Sequence, residues 1–416
     1  MSGNENANNG QTGGKRPDQT SATARERQYE KIAIDGFRGF DRFELEGLSR
    51  INIFFGRNNC GKTSILEAIY AHACGHNFGP LLYQVILRRQ DGAISGHYDL
   101  GEKIRSLFRS TSETPYSFSL NASLAGDPTE YKTRMTFEPS LELAGLDPLV
   151  LGQQYTTNGL ARGVVPTDAT ETESERISFR QPGMIPTVSV GRWTIESEQR
   201  PSTVEIKYPP FAVPPAPPFK LAIMHDMLSH RAPKTETQVF SYLKRYDMLE
   251  EFIDNLTGEF SEITSIDMIP YPDGSSGPVY AITKDRRRVP LWAFGDGMRR
   301  WLYLLGHMLV FRNACHCIEE IDATFHPAAQ PRFSSLLVGY ARRFNNQLFL
   351  TSHSIEFTDA FLEALYGENG IVKKDEEDPV RLFSLRLEGG STTPVVWALE
   401  GRDAFAKRRD FELELR

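Results

Sequence analysis

The sequence predicts an α/β fold in which a mixed sheet is flanked by helices, with a large insertion in the middle of the chain. The first indication is an apolar run at residues 51–55, which leads into a glycine-rich loop and then into a helical pattern. The second is a pair of predicted strands at 314–318 and 347–350, separated by a helical pattern at 331–344. Such β-α-β segments build open sheets, and ligands bind at the carboxyl ends of their strands.

Changes in composition divide the 416 residues into four parts. These are a tail at 1–28, an N-terminal lobe at 29–75, an insertion at 76–278 and a C-terminal lobe at 279–416. The tail is polar and rich in Gly, Asn and Thr, which is typical of disorder. The insertion contains a proline-rich connector at 209–218 and an apolar stripe of helical period at 239–260. The stripe predicts one helix, which either packs on the domain or projects as an arm towards another subunit.

Composition sets limits on the function. The net charge of −7 provides no general basic surface, so a nucleic-acid partner would need a local basic patch. No run reaches the ~18 consecutive apolar residues of a membrane span, and the start of the chain lacks the apolar core of a secretory signal. Four cysteines are few for a disulfide scaffold, and together with the missing signal they lead us to expect a cytoplasmic protein.

The glycine-rich loop fits the GxxxxGK[ST] template for phosphate binding. Its residues, together with the one that follows, are Gly56, Arg57, Asn58, Asn59, Cys60, Gly61, Lys62, Thr63 and Ser64. The two glycines permit a tight bend that turns backbone N–H groups towards phosphate oxygens. Lys62 is expected to reach the β- and γ-phosphates of ATP, and the Thr63 hydroxyl is expected to bind Mg²⁺. The helix that begins near Lys62 adds its positive dipole end.

A phosphate loop of this kind works with acids at the end of a partner strand. Glu319 and Glu320 follow the predicted strand at 314–318. Glu319 is expected to hold Mg²⁺, usually through water, and Glu320 to act as the general base that polarises the attacking water. Most proteins with this loop have Asp at the first position, so the longer Glu shifts the expected metal contact. Taken alone, the two residues would also fit a pair of surface acids.

A histidine follows the next apolar run. His353 comes after residues 347–350 and lies between Ser352 and Ser354. An imidazole at this strand end would sense the γ-phosphate or fix the attacking water. A Ser–His hydrolase is the alternative, but no third residue is placed for it.

A second candidate anion site precedes the acid strand. Gly295, Asp296 and Gly297 open a predicted helix. A glycine-rich helix N-terminus binds anions through its free N–H groups and its dipole. A plain turn is the alternative interpretation.

In this order, the motifs resemble those of the ABC-type ATPases of the OLD and AAA-15/AAA-21 group, which are related to recombination and repair ATPases of the RecF and Rad50 kind. The resemblance covers residues 29–75 and 279–360. It rests on the segment GFRGF at 36–40, the phosphate loop with 66–69, the segment 295–297, the acids with His326 and Pro327, and residues 351–354. It implies a P-loop NTPase with an ABC-type ATPase head.

The resemblance further implies a homodimer or higher oligomer, in which ATP lies between the phosphate loop of one subunit and the segment 295–297 of the other. It also places Arg38 near the phosphates, although by its chemistry Arg38 would equally fit a surface charge after a strand. Two features depart from the pattern of the group. Asp296 stands where Ser is common, which leaves the contact across the subunits to backbone N–H groups. The Q-loop glutamine is not identified, and Gln84 and Gln90 are both candidates.

Many OLD-type proteins carry a Toprim nuclease after the ATPase, a module that needs on the order of 100 residues or more. The stretch after His353 is too short for it, and residues 374–378 predict a solvated loop rather than a metal site. We therefore expect a separate effector protein, a nuclease being one candidate. Stand-alone ATPases of this type resemble the sensor subunits of two-component bacterial anti-phage systems.

Two other functions stay open. Lys284, Arg286, Arg287 and Arg288 predict a basic hairpin. It would bind DNA phosphates, as in a repair ATPase of the RecF kind, or a facing nucleotide, or simply be exposed. The departures at Asp296 and Glu319 would also fit an ATP-held scaffold that hydrolyses little.

The remaining cysteines and histidines fit ordinary packing. His72, Cys74 and His76 alternate along the chain and do not converge on one helix face, which argues against a metal site. Cys315 and Cys317 alternate along a predicted strand and are expected in the core. Cys60 either supplies a small side chain to the phosphate loop or acts as a redox switch.

Overall fold

The computed structural model describes residues 28–86, 97–110, 112, 114–140, 188–197, 201–208, 218–273, 275–389 and 391–411. The predictions for a tail before Gln28, for Gln90 and for the connector at 209–217 lie outside these residues. The described strands are β1 (Tyr29–Asp35), β2 (Arg42–Glu46), β3 (Ile51–Gly56), β4 (Tyr116–Leu124), β5 (Asp127–Pro139), β6 (Val188–Ser197), β7 (Ser202–Tyr208), β8 (Ala222–His225), β9 (Ile263–Met268), β10 (Val279–Thr283), β11 (Arg288–Pro290), β12 (Cys315–Ile318), β13 (Gln347–Thr351), β14 (Val380–Arg386) and β15 (Val395–Glu400).

The described α-helices are α1 (Lys62–Cys74), α2 (Phe78–Leu81), α3 (His97–Arg105), α4 (Pro233–Arg245), α5 (Leu249–Glu259), α6 (Asp296–Val310), α7 (Gln330–Arg343), α8 (Ile355–Tyr366) and α9 (Gly401–Phe411). A π-helical turn spans Leu82–Ile86, and short 3-10 helices span Ser229–Arg231, Leu291–Phe294 and Pro327–Ala329. None of these helices combines the length and the apolar character that a membrane crossing requires.

The strand that leads into the phosphate loop lies inside a six-stranded sheet of order β15-β14-β3-β13-β12-β8. Five of its strands are parallel, and β15 pairs antiparallel with β14 at one edge. Every residue of β3 is buried, as expected for a strand covered on both faces. The predicted mixed α/β sheet is therefore confirmed.

A second six-stranded sheet is antiparallel and has the order β2-β1-β4-β5-β6-β7. Residues 76–278, expected as an insertion, contribute to both large sheets. Their strands β4 to β7 extend the sheet that β1 and β2 begin, and β8 forms an edge of the parallel sheet. The sequence analysis did not identify β8 as a strand of the main sheet. The division into four parts stays a prediction.

Successive residues of β3 face two different hydrophobic cores, because side chains alternate along a strand. Phe54 packs in a core with α1 and the antiparallel sheet. Ile53 and Phe55 pack in a core with helices α4 to α8. Helix α1 contacts strands of both large sheets and is buried on nearly every side. The phosphate loop is thus anchored at the start of a helix that the two sheets enclose.

The apolar stripe at 239–260 forms the two helices α4 and α5 rather than the single helix predicted. The helical path is interrupted between them at Asp247, whose φ is +56°. The amide of Met248 then donates to the carbonyl of Leu243 at 2.8 Å, which satisfies one of the last carbonyls of α4. Val239 and Leu243 are buried against α6 in a common core. The stripe is therefore packed on the domain and does not project as an arm.

The part of the chain after His353 completes the same sheet. Strand β14 pairs with β3, and β15 pairs with β14. Residues 374–378 form a turn without strand structure, as predicted. Asp378 at its end accepts hydrogen bonds from the backbone N–H groups of Val380 at 3.0 Å and Arg402 at 2.8 Å.

Candidate active site

Three loops that carry reactive side chains meet at the carboxyl edge of the parallel sheet. Strand β13 lies between β3 and β12, and all three are parallel. The phosphate loop follows β3, His353 follows β13, and Glu319 and Glu320 follow β12. The acids thus stand two strand spacings, about 10 Å, from the strand of the phosphate loop. Strand order brings together motifs that are far apart in the sequence.

The phosphate loop requires glycine at both glycine positions of the template for steric reasons. Gly56 has a φ of +148°, and a β-carbon there would lie 2.5 Å from the carbonyl oxygen of Leu385. Gly61 has a φ of +90°, and a β-carbon there would lie 2.7 Å from Cζ of Phe40. The segment GFRGF therefore supports the phosphate loop, because the buried ring of Phe40 packs directly against it.

Lys62 is held beneath the loop. Its Nζ donates to the carbonyl oxygens of Gly56 at 2.7 Å and Arg57 at 2.8 Å. Burial lowers the pKa of Lys62, while Cys60, Glu320 and Asp322 beside it act to raise the pKa. The cation and the acids after β12 therefore share one electrostatic environment. Cys60 is buried, with its Sγ 3.8 Å from Lys62 Nζ.

The backbone of the acid pair is fixed by two side chains. Glu320 has a φ of +44°, and its N–H donates to Oγ1 of Thr351 at 2.9 Å. Arg300, which is buried, donates from Nη2 to the carbonyl oxygens of Glu319 at 2.8 Å and Glu320 at 2.7 Å. Thr351 and Arg300 belong to segments that the sequence analysis noted, but their contact with the acid pair was not predicted.

Asp322 is a residue that the sequence analysis missed. Its Oδ1 is buried and has no hydrogen-bond partner among the residues that the structure describes. Its charge reaches Lys62 and Arg300, since it acts to raise the pKa of each. An unpartnered carboxylate oxygen beside a phosphate loop is open to water or a cation. The only sequence signal was its position two residues after the acid pair.

The oxygen donors at this edge fit a magnesium ion. Mg²⁺ prefers oxygen ligands and is commonly held by one or two protein oxygens together with substrate phosphates. Thr63 is in the first turn of α1, Glu319 follows β12, and the free oxygen of Asp322 is nearby. Within the described parts of the chain, no cluster of three or more His, Cys, Asp or Glu residues forms a metal site.

His353 is next to the phosphate-loop strand. The N–H of Ser352 donates to the carbonyl of Phe54 at 3.2 Å. The hydroxyl of Ser354 caps α8 by accepting from the N–H of Phe357 at 2.9 Å. These two contacts fix the backbone on either side of the partly buried His353. His326 is exposed, and its ring accepts a hydrogen bond from the N–H of Ala328.

Arg38 is held by other side chains one helical turn beyond the phosphate loop. Its Nε donates to Oε2 of Glu67 at 3.0 Å, and its Nη1 donates to Oγ of Ser106 at 3.0 Å. Glu67 lies on α1 and is buried. Gln84 lies on the π-helical turn, whose Val85 carbonyl accepts from Arg38 Nη2 at 3.5 Å. Arg38 and Gln84 are therefore neighbours on one side of α1.

The other loop residues occupy different environments. Asn58 and Asn59 are exposed, and Asn59 has a φ of +63°. Thr63 and Ser64 are half-buried in the first turn of α1. Exposure leaves the two asparagines accessible to a nucleotide at the loop.

The segment 295–297 begins α6, as predicted. Gly295 has a φ of +95° and precedes the first helical residue, Asp296. A β-carbon at Gly297 would lie 3.1 Å from the carbonyl of Thr324, in the loop after the acid pair. Asp296 forms an ion pair with Arg231. The segment is therefore a true helix N-terminus, linked to the acid strand through Arg300 of the same helix.

The basic hairpin forms as predicted. Strands β10 and β11 pair antiparallel, and Lys284, Arg286, Arg287 and Arg288 are exposed. His72 and His76 point to separate partners, Tyr29 Oη at 2.9 Å and Ser197 Oγ at 2.7 Å. Cys74, Cys315 and Cys317 are buried in the core and form no disulfide.

Two family models match this chain. Residues 188–359 match AAA_21, described as "AAA domain, putative AbiEii toxin, Type IV TA system". Residues 29–73 match AAA_15, described as "AAA ATPase domain". Together the two matches include the phosphate loop, the segment 295–297, the acid pair and His353.

Curated relatives include an ATP/GTP phosphatase of Helicobacter pylori, which is 20% identical over 379 residues, or 88% of this chain and 94% of the relative. The DNA replication and repair protein RecF of Shewanella amazonensis is 40% identical over 58 residues, or 14% of this chain and 16% of RecF.

Similar solved structures include an Smc head bound to the C-winged helix domain of ScpA, with a TM-score of 0.48 and 13% identity over 91% of this chain and 99% of that one. A structure of the recombination mediator protein RecF has a TM-score of 0.41 and 11% identity over 86% of this chain and 97% of that one. The family matches and the relative matched along its length support ATPase activity and the predicted resemblance to the ABC-type ATPases of the AAA_15 and AAA_21 group.

Proposed function

We propose that this chain hydrolyses ATP at a composite site, in which one copy supplies the phosphate loop and the acids and a second copy supplies the start of α6. The observation that supports this most is the strand order β3-β13-β12, which gathers Lys62, His353 and Glu320 at one sheet edge. A site built this way holds a triphosphate on one side and leaves the other side open to a second subunit.

In this proposal Lys62 binds the β- and γ-phosphates, and the N–H groups of residues 56–63 surround their oxygens. Thr63 and Glu319 would hold Mg²⁺, whose chemistry when bound is to offset phosphate charge. Asp322 would contribute its free oxygen to the same region. Asn58, Asn59 and Ser64 complete the nucleotide-binding loop. Arg38 and Gln84 would lie along one side of this loop.

Glu320 is the proposed general base. Its carboxylate takes a proton from water while the water oxygen bonds to the γ-phosphorus, and the bond from that phosphorus to the bridging oxygen breaks to release ADP. Thr351 and Arg300 would position Glu320 through its backbone. His353 would hydrogen-bond the γ-phosphate or the attacking water.

The test is Mg²⁺-dependent phosphate release from the purified protein. We predict that Lys62→Ala and Glu320→Gln each lower kcat by about 100-fold or more, since general-base catalysis alone contributes about 10²–10⁴-fold. Lys62→Ala should also weaken ATP binding, whereas Glu320→Gln should retain it. The matched control is Glu388→Gln, which neutralises an exposed carboxylate of a surface loop. Unchanged turnover in both site variants would refute the site assignment, and turnover lost equally in the control would point to misfolding.

We further propose that hydrolysis regulates a separate effector protein in a cytoplasmic anti-phage complex. The AAA_21 description, which names a toxin of a toxin–antitoxin system, supports a defence role. The exposed basic hairpin favours a second candidate, a DNA-bound repair ATPase. Glu320→Gln protein purified from its native host should retain a stoichiometric effector. Recovery of duplex DNA instead, lost when Arg286, Arg287 and Arg288 become Glu, would favour the second candidate.

A further inference from the structure

A cluster of charged side chains surrounds the start of α6. The carboxylate of Asp296 forms an ion pair with the guanidinium of Arg231, and Nη1 of Arg299 lies 3.8 Å from Asp296 Oδ1. A β-carbon on Gly295 would meet no atom within 4 Å, so the backbone before the helix borders open space. Free N–H groups and a positive dipole end face this space.

The two arginines of the cluster are held differently. Arg299 is mostly buried, and it pairs with the buried Glu236 of α4 and donates to the carbonyl of Arg231. Arg231 is therefore fixed at its backbone, while its side chain is 51% exposed and paired with Asp296. A guanidinium fixed at its base and exposed at its tip is able to exchange one anionic partner for another.

His230 provides an independent indication of a ligand. Its side chain is fully buried, yet neither ring nitrogen has a hydrogen-bond partner within the described part of the chain. Its Nε2 lies 3.9 Å from Asp296 Oδ1, beyond hydrogen-bonding distance. Burial, followed by the charge of Arg300, lowers the pKa of His230 to about 4, so the ring is neutral near pH 7 and keeps one N–H donor. Buried polar groups without partners are rare, and a catalytic role or a bound water or ion is among the reasons that they persist.

We propose that Arg231, His230 and the first N–H groups of α6 bind the γ-phosphate of an ATP molecule held by the phosphate loop of a second copy of this chain. Arg231 leaves Asp296 and contacts the phosphate, where it stabilises the charge that develops during transfer. This inference rests on the composite site proposed above and adds the residues that complete it.

The ion pair explains how an acid is tolerated at this position. A lone carboxylate at Asp296 would repel a phosphate that approaches the helix N-terminus. Arg231 and Arg299 offset that charge, and Glu236 restrains Arg299 so that Arg231 is the mobile cation of the cluster. Where related ATPases have a serine hydroxyl, this chain has Asp296. The group that contacts the phosphate is then Arg231, which Asp296 holds before the phosphate arrives.

The test exploits the fact that a group acting across the interface is supplied by the opposite subunit. Arg231→Ala alone is expected to lower kcat at least about 100-fold, because an arginine at the transferring phosphoryl group contributes about 10³–10⁵-fold. Binding of a fluorescent ATP analogue to the phosphate loop should stay within about twofold. Arg245→Ala, which removes an exposed arginine of α4, is the matched control and should hydrolyse ATP normally.

The decisive measurement mixes Arg231→Ala protein with Lys62→Ala protein. In each mixed dimer, the intact phosphate loop of the first variant faces the intact Arg231 of the second. Activity should return to about one quarter of the wild-type value, because half of randomly paired dimers are mixed and each has one complete site.

Several outcomes would overturn the inference. Mixed dimers that form but remain inactive would mean that Arg231 acts within its own subunit or only stabilises the fold. If Arg231→Ala protein loses activity, shows a large fall in Tm and does not recover on mixing, Arg231 stabilises the fold rather than contacting the facing phosphate. Salt-sensitive duplex binding that disappears in Arg231→Ala, again without recovery on mixing, would assign the cluster to DNA. Failure of the wild-type protein to dimerise or hydrolyse ATP would instead refute the composite site itself.

Discussion

Gly61 is a position at which the phosphate loop has little tolerance for a side chain. Its φ is +90°, and a β-carbon would approach Cζ of the buried Phe40 to 2.7 Å. Alanine there both strains the backbone and displaces the ring. We predict that Gly61→Ala lowers the free energy of unfolding by about 1–3 kcal/mol and weakens ATP binding. Thermal unfolding and titration with a fluorescent ATP analogue measure the two effects.

Gly339 provides the matched control for Gly61. It lies in α7, and a β-carbon there would meet nothing within 4 Å. Gly339→Ala should be neutral or stabilise the fold by roughly 0.4–1 kcal/mol, because alanine loses less backbone entropy in a helix. Equal losses of stability in the two variants would contradict the steric explanation.

At the level of single residues, the sequence reveals those whose chemistry demands a fixed spacing. Lys62 and Glu320 were predicted as a phosphate-binding cation and a base because a template and an apolar strand place them. Asp322, Arg231 and His230 were not, since their importance depends on neighbours in other elements. The proposed role of His230 depends on its proximity to Asp296, which is distant in the sequence. The catalytic and binding roles remain predictions until the variants are measured.

Buried histidines connect several elements of the fold. His316 of β12 and His225 of β8 form a hydrogen-bonded pair, with 3.0 Å between Nδ1 of the first and Nε2 of the second. Burial lowers the pKa of His316 to about 3 and the pKa of His72 on α1 to about 4. Burial lowers the pKa of His225 well below its ordinary value. These residues are neutral in the folded protein.

This arrangement predicts sensitivity to mild acid. In the unfolded chain a histidine has a pKa near 6.5. The unfolded state therefore binds more protons between about pH 6.5 and the folded pKa, and stability falls as the pH decreases through that window. Stability is fully present above about pH 6.5.

We predict that the Tm falls between pH 7 and pH 5. Each fully buried histidine contributes up to about 1.4 kcal/mol of lost stability per pH unit below pH 6.5. The double variant His225→Met/His316→Met removes both members of the pair and should have a shallower dependence on pH. A Tm that is constant from pH 7 to pH 5 would contradict the buried neutral histidines.

At the level of elements, the strands that precede the site motifs were predictable. The run at 51–55 became β3, and the runs at 314–318 and 347–350 became β12 and β13. Strand β8 is as short as β12, but no candidate site residue follows it, so the sequence offered no second signal that would place it in the sheet. The break at Asp247 was missed because the apolar stripe continues through it, and periodicity alone does not report a residue with positive φ.

For the whole molecule, the exposed surface before α6 is consistent with an interface between two copies. Trp292 lies in the 3-10 helix just before α6 and is 59% exposed. Large aromatic side chains are enriched at protein interfaces. Arg231 and Gly295 border the same helix start, so this exposed aromatic side chain accompanies the groups proposed to bind the phosphate. The motif order predicted a shared site, but no single-chain pattern reveals which residues the second copy covers.

The most direct test of the composite site is sedimentation velocity of Glu320→Gln protein with and without Mg²⁺ and ATP. We predict that ATP converts this variant from a smaller species to a stable dimer, because ATP joins the two subunits and is not consumed. Lys62→Ala protein should show no response under the same conditions. Glu320→Gln protein that binds ATP but sediments identically in its presence and absence would contradict a site shared between two copies.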